Sequence, residues 1–375
     1  MLISGASVAG PALAFFLNRD GYEVSVVERA PELRDSGYAV DFRGEAFDVL
    51  EELGVLAEMR GHDTKMRGIT LLDDKGVETG RLPAEVFAGE LEVPKQELTR
   101  ILHRITADDV TYVFDDSISA LTQHEPGVAV EFERGTARGF DLVIGADGVY
   151  SKVRQLAFGP HADALRHLGL SGAGFSAPNH LGLERSGLLQ QGSGAALYLF
   201  SSGAPDRLTV SFSFATASPA LDRRSRDEQE NAVRAAFAGF GGEAPRLLEA
   251  MSEADDFYFS STCQVHLDHW SCGRIALVGD AGYCAAPTSG MGTSQALIGA
   301  RTLARELASA DGDHLAAFTA YEQELRPYVT GNQAAGRQAA TMFGGHADLA
   351  NSGPGSRRPP QHAHAAPQRP AQRVL

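Results

Sequence analysis

The sequence predicts an α/β fold in which a parallel-sheet domain is interrupted by an antiparallel-sheet domain. Three observations carry that prediction. The chain opens on a strand, a glycine turn, a helix and a second strand, ISGASVAG leading to YEVSVVER; buried strands return in DLVIGADG and GRIALVGD; and the block before GRIALVGD alternates apolar and polar residues with the period of a half-buried strand.

Leu2 to Ser4 form a short buried strand, Ala12, Phe15 and Phe16 share one face of the following helix, and Gly21 stops it. YEVSVVER gives a buried second strand ending at Glu28, which completes a βαβ unit. A helix from about Gly44 turns Ala46, Leu50 and Leu53 inward and ends at Gly54. Short strands and turns fill Ile69 to Val93, and Gln96 to Ile105 is helical on the stripe Leu98, Ile101 and Leu102. Further on, Leu208, Val210, Phe212 and Phe214 alternate with Thr209, Ser211 and Ser213, an antiparallel strand with one face buried. Ala296, Ala300, Leu303 and Leu307 then repeat at helical spacing. The resulting division assigns 1–68, 94–165 and 266–345 to a discontinuous nucleotide domain and 69–93 with 166–265 to a sheet-rich second domain. Residues 346–375 read as a disordered tail, since from Asn351 onward there are five prolines, four arginines and no acidic residue.

With 33 basic against 48 acidic residues the net charge is -15, which disfavours nucleic acid and anionic membranes as partners and favours small molecules. Cys263, Cys272 and Cys284 form no CxxC pair and are odd in number, as in a reducing compartment. The apolar opening lacks the basic start of a signal peptide, and no stretch approaches the roughly 20 apolar residues of a spanning helix. A cytoplasmic protein is the expectation. His266 and His269, on a strand, would point to opposite faces, and His362 with His364 falls in the tail, so no metal is assigned.

Gly5 and Gly10 stand at the first and third positions of a Rossmann-like dinucleotide fingerprint, with Ser7 at the middle one. A small serine still lets the backbone approach a pyrophosphate held by helix N-terminal amides. Glu28, 23 residues after Gly5, stands where a carboxylate accepts hydrogen bonds from ribose hydroxyls; otherwise it closes a strand as a surface Glu-Arg pair. A second motif delivers Asp147 and Gly148 to a turn before a short helix. A third places Asp280 after a buried strand, followed by Pro287, Gly290 and Gly292, whose small size permits close backbone approach.

With these three motifs in order, residues 1 to about 345 resemble the group A flavoprotein monooxygenases, the family of para-hydroxybenzoate hydroxylase and of tetracycline- and polyketide-modifying oxygenases. The resemblance implies an FAD-binding domain of the glutathione-reductase type with an inserted antiparallel-sheet substrate domain. It also implies FAD as cofactor, NADPH (or NADH) as transient reductant, and hydroxylation of an aromatic or polyketide-like molecule by O2 through a flavin C4a-hydroperoxide. The protein would act as a monomer or homodimer. By the same resemblance Gly5, Ser7 and Gly10 surround the pyrophosphate, Glu28 with Arg29 binds the adenosine half, and Asp280 holds the ribityl chain. Asp147, assisted by Arg154, supports the pyrophosphate and nicotinamide docking.

By the same resemblance Arg43 either falls where relatives place a basic residue near the flavin and the nicotinamide approach or is a solvated surface arginine, and Pro287, Gly290, Met291 and Gly292 form the flavin environment, with backbone amides toward the pyrimidine. Lys95 stands where relatives carry an FAD-contacting arginine, and the lysine keeps the charge but loses the bidentate fork; Arg100, a turn farther on, either compensates or belongs to a solvated helix face. Tyr283 replaces the histidine of the family's GDAAH, so no general base is assigned there. Phe212, Phe214, Phe257 and Tyr258 either line an aromatic pocket or pack the sheet. Two alternatives stay open: a flavin dehydrogenase or reductase on the same scaffold, and a flavin-binding protein with little turnover, which the unusual tail motivates. A flavin halogenase is disfavoured, because Trp270 is the sole tryptophan.

Overall fold

The first strand is apolar on both faces, and so it belongs at the centre of a sheet covered on both sides. The computed structural model describes residues 1–33, 39–83, 89–192, 194–201 and 206–342; the tail expected at 346–375 lies outside the described residues. In it Leu2–Ser4 sits inside a six-stranded sheet ordered Ser271–Cys272, Ile275–Leu277, Val143–Gly145, Leu2–Ser4, Ser25–Glu28 and Thr111–Phe114. Leu2 pairs in parallel with Val143 on one side and Ser25 on the other. Ile3, Val26, Ile144 and Ala276 point to one face, where helices Ala9–Arg19 and Gly292–Ser309 bury Leu13, Phe16, Leu297 and Leu303. Leu2, Val27, Val143 and Leu277 point to the other, against Ile118, Val128 and Val130 of a three-stranded sheet and Val153 of helix Lys152–Phe158. That three-stranded layer is absent from the sequence-based expectation, because its strands are short and interrupted by turns.

A second sheet of seven strands is ordered Tyr258–Val265, Leu165–Pro178, Arg207–Ala215, Ala195–Phe200, Gly187–Gly192, Gly68–Leu72 and Glu78–Pro83. All its pairs are antiparallel except Gly187–Gly192 with Gly68–Leu72. One face packs Phe175, Phe212 and Phe214 against Val233, Leu247 and Met251 of two helices, Arg226–Ala236 and Ala244–Glu253, and against Phe237, which caps the first. Each fully buried side chain of this size contributes roughly 1.5–3 kcal/mol. Phe212 and Phe214 are therefore core. Phe257 packs on the same cluster beneath the Arg226 guanidinium, 4.8 Å from its ring. The first of the two helices opens with a capping box between Ser225 and Glu228, a local signal that a helix interrupts the sheet-rich block.

The helix expected from about Gly44 is two helices, Ala46–Glu52 and Leu56–Gly61, separated at Gly54, whose φ of +72° ends the first. The helix expected at Gln96 to Ile105 spans Lys95–Arg104. A two-stranded antiparallel ribbon pairs Ala39–Phe42 with Leu91–Pro94 and sets Asp41 opposite Glu92. His266 and His269 lie beyond the strand that ends at Val265, so the opposite-face argument does not describe them: His266 Nε2 lies 2.9 Å from Gln264 Oε1, and His269 lies 3.5 Å from Glu322. Among the described residues, no group of three or more His, Cys, Asp or Glu is placed to hold a metal. No described helix is long and apolar enough to cross a membrane.

Candidate active site

The glycine turn after the first strand is fixed by sterics. Gly5 adopts φ +111°, and a Cβ there would lie 2.5 Å from the Ala146 carbonyl oxygen; a Cβ on Gly10 would lie 1.9 Å from the Gly5 oxygen. Ser7 between them is exposed. Helix Ala9–Arg19 starts with no side-chain cap and no acidic residue in its first turn, so its leading amides are available to an anion. Glu28 Oε2 accepts the Ala6 amide at 2.9 Å and Oε1 accepts the Ala30 amide at 3.0 Å. Each oxygen keeps a second lone pair for a ligand hydroxyl. Arg29 beside it is exposed.

The third motif converges on the same place. Gly279 adopts φ +65°, and a Cβ there would lie 3.1 Å from the Ala9 Cβ and 3.6 Å from that of Ala296, so this loop is wedged between the starts of the two helices. Asp280 is open to solvent, yet the protein atoms around its carboxyl raise its pKa, opposed by the Cys284 thiol and the Lys95 ammonium. Exposure together with a raised carboxyl pKa marks a cleft floor: water reaches one side while protein fills the others. Lys95, the first residue of its helix, thus shares the cleft with Asp280. Arg100 pairs with Glu97 on the exposed helix face.

Past Pro287, which is exposed, Gly290 (φ +64°) and Gly292 present open space. The nearest atom to a Cβ on Gly290 would be Asp41 Oδ2 at 3.9 Å, and on Gly292 Asp280 Oδ1 at 4.0 Å. Met291 is half-buried and precedes a helix with neither a side-chain cap nor an acid in its first turn. Arg43 is half-exposed, 3.9 Å from Asp41 Oδ2.

The second motif is anchored differently. Asp147 accepts the Ser151 hydroxyl at 2.5 Å and the amides of Lys152 and Val153 at 2.7 and 3.2 Å, capping helix Lys152–Phe158. Gly148, at φ +83°, faces open space. Arg154 is fully buried and donates to the carbonyls of Val149 (2.6 Å) and Ala281 (2.8 Å), tying the second motif to the third. It supports the cleft from behind.

Tyr283 is also core. Its ring packs 4.4 Å from that of Trp270, its hydroxyl lies 2.7 Å from that of Tyr321, and a Cβ on Gly299 would sit 2.1 Å from that hydroxyl.

The seven-stranded sheet turns its second face to this cleft. Tyr258, Gly174, Ser211, Tyr198, Leu189 and Leu71 are register partners in one row across five strand junctions, so they share that face. Tyr258 lies over Gly174, where a Cβ would come within 2.3 Å of its ring. Burial and the carboxylates of Glu92 and Asp41 raise the Tyr198 hydroxyl's pKa, which places Tyr198 against the ribbon. Asp41, Thr64, Glu92 and Tyr198 were not among the expected site residues. LEVP, which carries Glu92, has no motif; its pairing with Asp41 is a product of strand register.

A βαβ glycine turn, two uncapped helix starts meeting at an accessible aspartate, and glycines facing open space define a dinucleotide-binding oxidoreductase. The residues present fit an FAD. A family model described as FAD binding domain matches residues 1–335, and the chain belongs to that family, the group A flavoprotein monooxygenases; it is an FAD-dependent monooxygenase. It is 38% identical over 347 residues to a flavin-dependent monooxygenase of an unknown prokaryotic organism, covering 92% of this chain and 90% of the relative. It is 41% identical over 339 residues to an uncharacterised protein of Mycobacterium tuberculosis (strain ATCC 25618 / H37Rv), covering 89% and 91%. The crystal structure of tetracycline destructase Tet(55) superposes with a TM-score of 0.84 at 36% identity, covering 91% of this chain and 89% of that one.

Proposed function

We propose that the cleft between the glycine loops and the open sheet face hydroxylates an aromatic or fused-ring polyketide substrate, using O2 and NADPH (or NADH). The observation that carries this reading is the row from Tyr258 through Ser211 and Tyr198 to Leu71, which offers two tyrosines, a serine and two leucines on one sheet face, with Tyr198 beside Asp41. The likeness to tetracycline destructase Tet(55) supports a fused-ring substrate.

In this reading Gly5, Ser7, Gly10 and the first helix amides hold the FAD pyrophosphate, and Glu28 with Arg29 takes the adenosine ribose. Asp280 binds the ribityl hydroxyls, and Lys95 keeps a positive charge beside it. Asp147 orders the helix that flanks the pyrophosphate, with Gly148 leaving room for nicotinamide docking. Pro287, Gly290, Met291 and Gly292 face the flavin ring, where backbone amides and the following helix start stabilise negative charge, and Arg43 borders the same edge. Bound FAD supplies the electron transfer and oxygen activation; the protein binds, orients and excludes water. Tyr283 moves no proton, being sealed in the core. Residues 69–93 and 166–265 form the substrate side and the remainder of 1–345 the cofactor side. The three free cysteines fit a cytoplasmic setting.

The test is turnover of FAD-loaded protein with NADPH or NADH under 18O2 against a panel of phenols and fused-ring polyketides. One 18O atom in the product, with one reductant consumed, is expected. Reductant oxidation that yields only hydrogen peroxide with every compound would replace this reading with a reductase.

A further inference from the structure

Asp41 and Glu92 face one another across the ribbon as direct cross-strand partners, so their side chains share one face with Cβ atoms roughly 4.5–5.5 Å apart. Asp41 Oδ1 accepts the Gly89 amide at 2.9 Å, while Oδ2 is the nearest atom to the space in front of Gly290. Glu92 Oε1 accepts the Thr64 hydroxyl at 2.7 Å. Burial raises the pKa of the Tyr198 hydroxyl on the sheet, and both carboxylates lie close enough to raise it further. Burial pushes the Glu92 carboxyl up to about 7; the Thr64 hydrogen bond opposes this, and the carboxylates of Asp41 and Asp63 reinforce it. The cation beside Asp41 is Arg43, half-exposed at 3.9 Å. The groups facing Glu92 from the packed elements are thus two carboxylates, two hydroxyls and, beyond Asp41, one arginine.

We infer that Asp41 and Glu92 select the charge of the substrate: the cleft takes rings that bring neutral or cationic hydrogen-bond donors to the flavin loop and rejects ring carboxylic acids. The inference rests on the reading of the cleft as the substrate site. A substrate carboxylate there would lie within a few ångströms of two like charges in a poorly solvated space, which costs tenfold or more in affinity. A phenol or amine donates to the same oxygens and gains from them. As pH rises through about 7 Glu92 loses its proton and rejection strengthens; below it Glu92 takes up a proton and rejection weakens, while burial raises the Asp41 carboxyl against the Gly89 hydrogen bond and Arg43.

The experiment is a titration of the FAD-loaded full chain with 1,8-dihydroxyanthraquinone and with its 3-carboxylic acid, read by the change in flavin fluorescence. The two probes share their phenols, so the ratio of their affinities isolates the carboxylate. At pH 8 the neutral probe should bind at least about tenfold more tightly, and at pH 6 the ratio should fall to about threefold or less. E92Q, checked for unchanged flavin content, should show a reduced ratio that no longer varies between pH 6 and 8; D41N should reduce the ratio independently. A purely structural Glu92 would leave the pH dependence in place. Equal or tighter binding of the acid at pH 8, or an unchanged ratio and pH dependence in both variants, would overturn the inference. If the wild-type protein binds neither probe, the aromatic reading of the cleft fails first, and the selectivity falls with it.

Discussion

Two glycine loops meet in this cleft, and a single methyl group tells them apart. On Gly10 it would strike the Gly5 carbonyl at 1.9 Å; on Gly290 it would meet nothing nearer than 3.9 Å. The first loop is glycine because protein is in the way, and the second because its backbone is left-handed at φ +64°. One builds the scaffold, and the other borders open space in the cleft.

Substitutions can break or sharpen that contrast. The largest effect belongs to Gly10→Ala, which forces the turn apart and should cost on the order of 3 kcal/mol or more, with FAD lost from the purified protein. A melting temperature and flavin content matching the wild type would abolish the distinction between the loops. Gly299→Ala should cost on the order of 2–3 kcal/mol, because the new methyl meets the Tyr283 hydroxyl at 2.1 Å. Removing that hydroxyl leaves a clearance of 3.2 Å to the ring carbon, so Gly299→Ala/Tyr283→Phe should be more stable than Gly299→Ala alone in a urea titration. A double variant no better than the sum of its parts would remove Tyr283 from the packing argument.

Glu92→Gln moves stability the other way, and with pH. Because the folded pKa of about 7 lies above the ordinary 4.5, the folded state holds the extra proton between those values, and wild-type stability falls as pH rises through that window. The amide has no charge to bury, so the variant should be on the order of 2 kcal/mol more stable at pH 8, with the gain shrinking toward pH 4.5. Thermal unfolding across that range checks it, and a pH-independent difference would mean that Glu92 is not held protonated. The smallest effect on the fold belongs to Gly290→Ala, about 1 kcal/mol for the left-handed backbone at φ +64°. FAD should nonetheless bind at least about tenfold more weakly, because the methyl enters the open space. Equal FAD affinity by equilibrium titration would place the flavin elsewhere.

Much of the scaffold was legible because it is written in local patterns. Gly5, Gly10 and Glu28 sit at fixed spacings around strands recognisable by continuous apolar residues, and Leu208 to Phe214 alternate as a strand must. Gly54 announced a stop, but not that a second helix begins at Leu56. The cleft was legible on its cofactor side only. Asp41 and Glu92 are 51 positions apart and become neighbours only by register, and Tyr198 joins them from a third element. Whether Phe212 or Tyr258 faces the cleft depends on which side of the sheet two helices cover, and alternation alone does not say. Arg154 was expected to assist Asp147, and its burial between the carbonyls of Val149 and Ala281 was not legible in the sequence.

Glu28 has its own consequence for the cleft. Its two oxygens grip the amides of Ala6 and Ala30, so the glycine turn is tied to the end of the second strand by the chain's own bonds. The entropy of shaping that turn is spent when the chain folds. The Glu28 side of the cleft is therefore braced by side-chain bonds, whereas at Gly290 and Gly292 an added Cβ would meet no atom nearer than 3.9 Å.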